Sequence, residues 1–165
     1  MTATEVRLRA GARLRLALDT NILVYAERLR LSSADAGKEA VARRMLGAAI
    51  DDDIILPRQA LAEFQRVLVR KAGLDPARAA DRVRLWADRA ELVDTNGPVF
   101  DAALGLAADH GLQIFDAIIL AAAVEARCDL LLSEDLQDGF AWRGVVVSDP
   151  FGAGPDGRLG RLLGG

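Results

Sequence analysis

Cysteine is almost missing from this chain. Cys128 stands alone, so no disulfide can close within the chain and no cysteine-based zinc site can form. A reducing interior, the cytoplasm, is the expected setting. Histidine is as scarce. His110 is the only one, so a Ser-His-Asp or Cys-His arrangement would have to use it, and it stands just before the helix stop signal Gly111. Lysine is confined to Lys38 and Lys71. The other cations are arginines, which suit bidentate phosphate contacts but equally reflect a GC-rich genome. Aromatic residues make up 5%, so the core has to be aliphatic. Trp86 and Trp142 could stack bases, though single aromatics read more simply as core or interface. Long apolar runs are lacking too. The longest, Ala117 to Val124, falls far short of the roughly 20 residues that span a bilayer, and no membrane association is expected. Arg7, Arg9, Arg13 and Arg15 are not followed by an apolar segment, which is not the pattern of a secretory signal.

What is present describes an ordinary globular domain. The 165 residues, 52% hydrophobic and 27% charged, are enough for one core. A net charge of −3 argues against holding nucleic acid by bulk charge alone. It does not exclude a nucleic-acid enzyme, because acids reserved for a metal ion lower the total while a local basic rim grips phosphate.

Short apolar runs alternate with helical patterns. Leu14 to Leu18, Ile54 to Leu56, Glu91 to Asp94, Leu130 to Leu132 and Val145 to Val147 read as strands. Helices are predicted over Asn21 to Arg30, Lys38 to Ile50 behind Ser32, Ser33 and Asp35, Ala60 to Ala72, Pro76 to Arg89, Pro98 to His110 and Asp116 to Ala126. This alternation predicts an α/β fold, a central parallel sheet of about five short strands covered on both faces. Residues 1–13 read as a basic N-terminal extension, 14–150 as the domain, and 151–165 as a Gly-rich tail expected to be poorly ordered.

Asp19 and the group Ser133-Glu134-Asp135 stand where apolar strands give out, Asp116 opens a helix, and Glu63 lies in the predicted first turn of another. Ligands of open α/β sheets bind beyond the carboxyl ends of strands. If the four acids converge there, their like charges raise one another's pKa values until a cation neutralises them. An all-oxygen ligand set selects Mg²⁺ or Mn²⁺ over zinc or copper, and such a site suits phosphodiester hydrolysis.

The run Leu18-Asp19-Thr20-Asn21-Ile22-Leu23-Val24-Tyr25-Ala26 resembles the opening motif of PIN-domain nucleases, a family that includes VapC-like toxins. The resemblance continues through Ala62-Glu63-Phe64, then Phe115-Asp116-Ala117-Ile118-Ile119, then Leu131-Leu132-Ser133-Glu134-Asp135-Leu136-Gln137-Asp138-Gly139. These motifs stand in the family's order from Leu14 to Val147. The resemblance implies a PIN-like three-layer α/β/α sandwich and a metal-dependent ribonuclease in which Asp19, Glu63, Asp116 and Asp135 hold Mg²⁺ or Mn²⁺. Asn21 and Ser133 match supporting polar positions. It also implies an RNA substrate, a small antitoxin protein as partner, and pairing of two copies into a homodimer. Glu134, Asp135 and Asp138 are all acids, and the match favours Asp135 with Asp138 next.

Plainer readings stand beside these. Asp19 and Asp116 each occupy a helix-capping position. Glu63 shares a helix face with Arg66 and Arg70, an ordinary surface pattern, and the two arginines are candidates for RNA phosphates or simply solvated charge. Asp51, Asp52 and Asp53 point in different directions and read as a loop. An aspartate-based phosphotransfer domain, phosphatase or receiver, also has an Asp after its first strand. The phosphatase would need an acid where Asn21 stands, and both would need a late lysine, whereas none follows Lys71. A non-catalytic PIN-like module that binds RNA or protein is the remaining alternative.

Overall fold

A computed structural model describes residues 13–29, 32–49, 53–153 and 156–162. The basic extension lies outside these residues except for Arg13, as do Ile50, Asp51 and Asp52. Among the described residues the strands are β1 (Arg15–Leu18), β2 (Asp53–Pro57), β3 (Glu91–Val93), β4 (Leu130–Leu132), β5 (Ala141–Trp142) and β6 (Val145–Ser148). The helices are α1 (Thr20–Ala26), α2 (Ala36–Ala48), α3 (Arg58–Arg70), α4 (Pro76–Ala87), α5 (Gly97–His110), α6 (Ile114–Glu125) and α7 (Gly157–Leu162).

The strands lie in the order β3-β2-β1-β4-β6-β5. Every pairing is parallel except the one between β5 and β6. From β1 the chain works outward to β3, then returns to the other side of β1 to lay down β4. Strand order therefore reverses between β1 and β4, and at such a switch point helices diverge and leave a crevice beyond the strand ends.

Alternation along each strand sorts the core into two layers. Leu16, Leu18, Leu56, Leu130 and Leu132 pack with Ile22, Leu23, Met45, Phe64 and Leu68 from α1, α2 and α3. Ala17, Ile55, Leu131, Val145 and Val147 face Val99, Ala103 and Leu106 of α5 and Ala117 to Ala123 of α6. Burying each large aliphatic side chain contributes about 1.5–3 kcal/mol. The result is the three-layer α/β/α sandwich anticipated from the sequence.

Boundaries differ from expectation in instructive places. Pro57 ends β2 with φ −57°, an angle already close to helical, so α3 starts at Arg58 with no loop between. Glu63 is thus its sixth residue rather than a first-turn residue. Likewise α6 starts at Ile114 behind Gln113, so Asp116 lies inside the first turn and does not cap it. A carboxylate there still interacts favourably with the positive end of the helix. The sixth strand, β5, has only two residues. It joins β6 through Arg143 (φ 46°) and Gly144 (φ 92°), a two-residue loop with both φ values positive, as hairpins favour. Other ends fell where the residues announce them. Asp75 accepts hydrogen bonds from the Ala77 and Arg78 N–H groups ahead of Pro76, and Gly111 at φ 67° closes α5.

Within the Gly-rich tail expected to be poorly ordered, α7 forms, because Leu159 finds a fully buried seat against the α1–α4 layer. No described helix is long and apolar enough to cross a membrane.

Candidate active site

Asp19 is carried to the crevice by β1. Its N–H donates to the Leu132 carbonyl at 3.0 Å, extending the β1–β4 ladder by one step, and α1 begins immediately after it. The residue is 3% exposed. Oδ1 accepts the Thr20 N–H at 2.6 Å and Oδ2 accepts the Ser133 hydroxyl at 2.6 Å. Ser133, at the end of β4, is itself fully buried. Its Oγ accepts from the N–H groups of Asp135 and Leu136 at 3.2 and 3.3 Å, so the hydroxyl hydrogen has one direction left, toward Asp19. Burial pushes the Asp19 pKa up to about 6 against the pull of these hydrogen bonds, and the charges of Asp116 and Asp135 add to the rise.

The other acids approach from the helices and from the loop after β4. Asp116, half-buried on α6, is raised by burial first, then by Glu63 and Asp135. Glu63 Oε1 accepts from the Gln59 amide at 2.9 Å. Its Oε2 lies 3.5 Å from the Thr20 hydroxyl, which donates to the Ala60 carbonyl at 3.2 Å. Asp135 is exposed, and its Oδ2 accepts from Asn21 Nδ2 at 3.2 Å. Asp19, Asn21, Glu63, Asp116 and Asp135 all line one cavity of about 300 Å³. Ser133 lies behind it, holding Asp19.

Of the neighbouring acids, Asp138 is not on that wall, and its Oδ1 accepts the Asp149 N–H at 2.9 Å. Glu134 is on the wall but already matched. It accepts the Tyr25 hydroxyl at 3.0 Å and pairs with Lys38 at 2.8 Å. Arg66 and Arg70 stand further along α3, exposed, beside an adjoining cleft. His110 packs edge-on against Phe140 at 5.2 Å, Trp86 donates to Glu27, and Trp142 lies under the Arg143 guanidinium. None of the three lines the acid cavity.

Four participants escaped the sequence reading: Thr20, Gln59, Tyr25 and Lys38. Thr20 and Tyr25 sit inside the opening motif, so proximity to Asp19 was their only signal. Gln59 stands four residues before Glu63, a helical contact distance.

The donor set is all oxygen, which fits Mg²⁺ or Mn²⁺. A buried carboxylate crowded by like charges, with no ion pair of its own among the described residues, also calls for a cation. Among the described residues, however, no three His, Cys, Asp or Glu side chains are grouped to hold an ion as they stand. Asp19 is the most firmly held of the four; to hold an ion, the others would have to close in.

Solved structures share this architecture at low identity. A toxin–antitoxin complex from Klebsiella pneumoniae superposes with TM-score 0.61 at 20% identity, covering 82% of this chain and 98% of that one. The sarcin-ricin-loop-cleaving toxin VapC20 of Mycobacterium tuberculosis gives 0.57 at 19%, covering 70% and 86%. DNA-bound VapBC from Salmonella typhimurium gives 0.61 at 17%, covering 83% and 98%. No curated protein matches the chain. The sequence profile of the PIN domain matches residues 16–140, from β1 to the edge of β5. It takes in all four acids and the switch point between them, and the chain belongs to the PIN domain family.

Proposed function

We propose that this protein is a divalent-metal-dependent endoribonuclease and the toxin of a toxin–antitoxin pair, acting in the cytoplasm. The observation that carries the reading is Asp19: a carboxylate buried at the sheet's switch point, held on both oxygens, and sharing its cavity with three more acids. Asp19, Glu63, Asp116 and Asp135 would hold Mg²⁺ or Mn²⁺. When bound, the ion supplies Lewis acidity toward a phosphodiester and its attacking water. Thr20 and Ser133 keep the Asp19 carboxylate in one orientation, Gln59 steadies Glu63, and Asn21 steadies Asp135. The three less buried acids can adjust around a ligand without rebuilding the core. The toxin reading is supported by the solved structures of like fold, described as toxin–antitoxin or VapBC complexes and as a sarcin-ricin-loop-cleaving toxin.

The test is incubation of purified protein with labelled RNA and Mn²⁺ or Mg²⁺, then with EDTA. Cleavage should stop with EDTA and fall at least about 100-fold in Asp19→Asn and Asp116→Asn. Cleavage that persists in both variants overturns the assignment. Expression without a partner should slow host growth; normal growth with soluble active enzyme removes the toxin half of the proposal.

A further inference from the structure

Among the described residues, six acids line the cavity: Asp19, Asp35, Glu63, Asp116, Glu134 and Asp135. Glu134 alone of the six makes an ion pair with a described residue. Its cation is Lys38 of α2, with Nζ 2.8 Å from Oε2. The other oxygen, Oε1, accepts the Tyr25 hydroxyl of α1 at 3.0 Å. That hydroxyl in turn accepts from Lys38 Nζ at 3.3 Å, which closes a ring of contacts. Two aromatic rings hold the ammonium from the other side. Nζ lies 5.2 Å from the centre of the Tyr25 ring and 6.0 Å from that of Phe151. The rings themselves meet edge-on at 5.0 Å.

An exposed ion pair receives no such fastening and contributes little. Glu134 stands between Ser133 and Asp135, so its backbone sits among the residues proposed to hold the ion. A side chain with two methylenes there would otherwise be a fifth carboxylate for that ion. The number of charged ligands tunes how tightly an oxygen site holds a hard cation. A fifth would neutralise the ion further, weaken its pull on a phosphodiester and repel that anion. We propose that Lys38 is a positioning residue that withholds Glu134 from the ion, which keeps the ion's carboxylates to Asp19, Glu63, Asp116 and Asp135. The inference rests on the ion-site reading of the cavity and adds a device that sets its ligand count. Lys38 acts only through Glu134. A merely structural pair would tie the loop after β4 to α1 and α2 and leave ion binding alone.

Ion binding can be read without RNA. Mn²⁺ is titrated by calorimetry into full-length wild type, Lys38→Met, Lys38→Arg and the double variant Lys38→Met/Glu134→Gln, each of unchanged circular dichroism. Lys38→Met should bind Mn²⁺ roughly 10-fold more tightly. Lys38→Arg should stay near wild type, and the double variant should return to it. Eu³⁺ luminescence lifetimes in light and heavy water then count the waters on a bound hard cation. Lys38→Met should lose about one water to the Glu134 carboxylate, and the double variant should regain it. Unchanged or weaker Mn²⁺ binding in Lys38→Met overturns the proposal, even where the wild type cleaves RNA. So does tighter binding with no water lost, which is the mark of a removed charge alone. Tighter binding with the water lost, in a protein that never cleaves RNA, sinks the nuclease reading and upholds the role of Lys38.

Discussion

The two walls of the acid cavity are built in different ways. On the sheet side, Asp19 and Ser133 are buried at the ends of adjacent parallel strands, and every side-chain polar atom of the pair has a partner at 3.3 Å or less. On the helix and loop side, Glu63 and Asp116 are half-buried, and Asp135 is exposed at the end of one 3.2 Å hydrogen bond from Asn21. One carboxylate is therefore specified by the backbone and the others by side-chain torsions. A fixed anchor with adjustable companions is consistent with the proposal that these residues gather around an ion without already forming its cage. It also limits the strain of crowding four acids, because only one of them has to be ionised out of water.

The sharpest way to break this contrast is to lengthen one acid on each wall. Asp19→Glu displaces a carboxylate that is held on both oxygens at 2.6 Å and should cost at least about 100-fold in RNA cleavage, as a misplaced reacting group does. Asp135→Glu extends into solvent and should stay within about 10-fold of wild type. Equal losses in the two variants would erase the distinction.

A second test uses pH. The Asp19 pKa is raised from an ordinary value of 3.8 to about 6, so the folded state binds this proton more readily than the unfolded chain. The stabilisation is complete below the unfolded value and disappears as pH rises through about 6. Between pH 4 and 7.5 this one group should cost the metal-free protein about 2 kcal/mol. Denaturant unfolding of wild type and Asp19→Asn at both pH values measures it as the difference of two slopes. The variant should be flatter, and saturating Mg²⁺ should return stability to the wild type at pH 7.5. Parallel curves without metal would show that Asp19 is not the strained group.

The smallest effect concerns the neighbouring acid. Tyr25→Phe removes the hydroxyl that donates to Glu134 and accepts from Lys38 at 3.3 Å, but leaves the Glu134–Lys38 ion pair. Unfolding free energy should fall by about 1 kcal/mol, with cleavage nearly unchanged. A collapse of cleavage would move Glu134 into the working set of acids.

Much of this could be read from the residues alone, for a physical reason. Strands buried on both faces are uniformly apolar, so Leu130-Leu131-Leu132 announces itself, and the first polar residue beyond such a run has to lie at the sheet's edge. Asp19 and Ser133 are those residues, which is why they were found. Glu63 was harder, because a carboxylate beside Arg66 on a helix looks the same whether it faces water or a cavity. What remained invisible depends on tertiary meeting. Lys38 reaches Glu134 across 96 positions of sequence, and neither residue carries a local sign of the other. The β5 hairpin was missed because two residues show no alternation, and only Gly144 of its turn carries a conventional signal.

The hydrogen bonds that define the acid cavity, Ser133 to Asp19 and Asn21 to Asp135, each close a loop of 114 positions. A ribosome making this chain therefore releases the first half of the site long before the second exists. No nascent fragment that stops short of β4 can assemble the cavity, whatever helices it has already formed. Whatever chemistry the acids perform is delayed until β4 and the loop after it have emerged, so the fold itself times the moment at which the cavity can act.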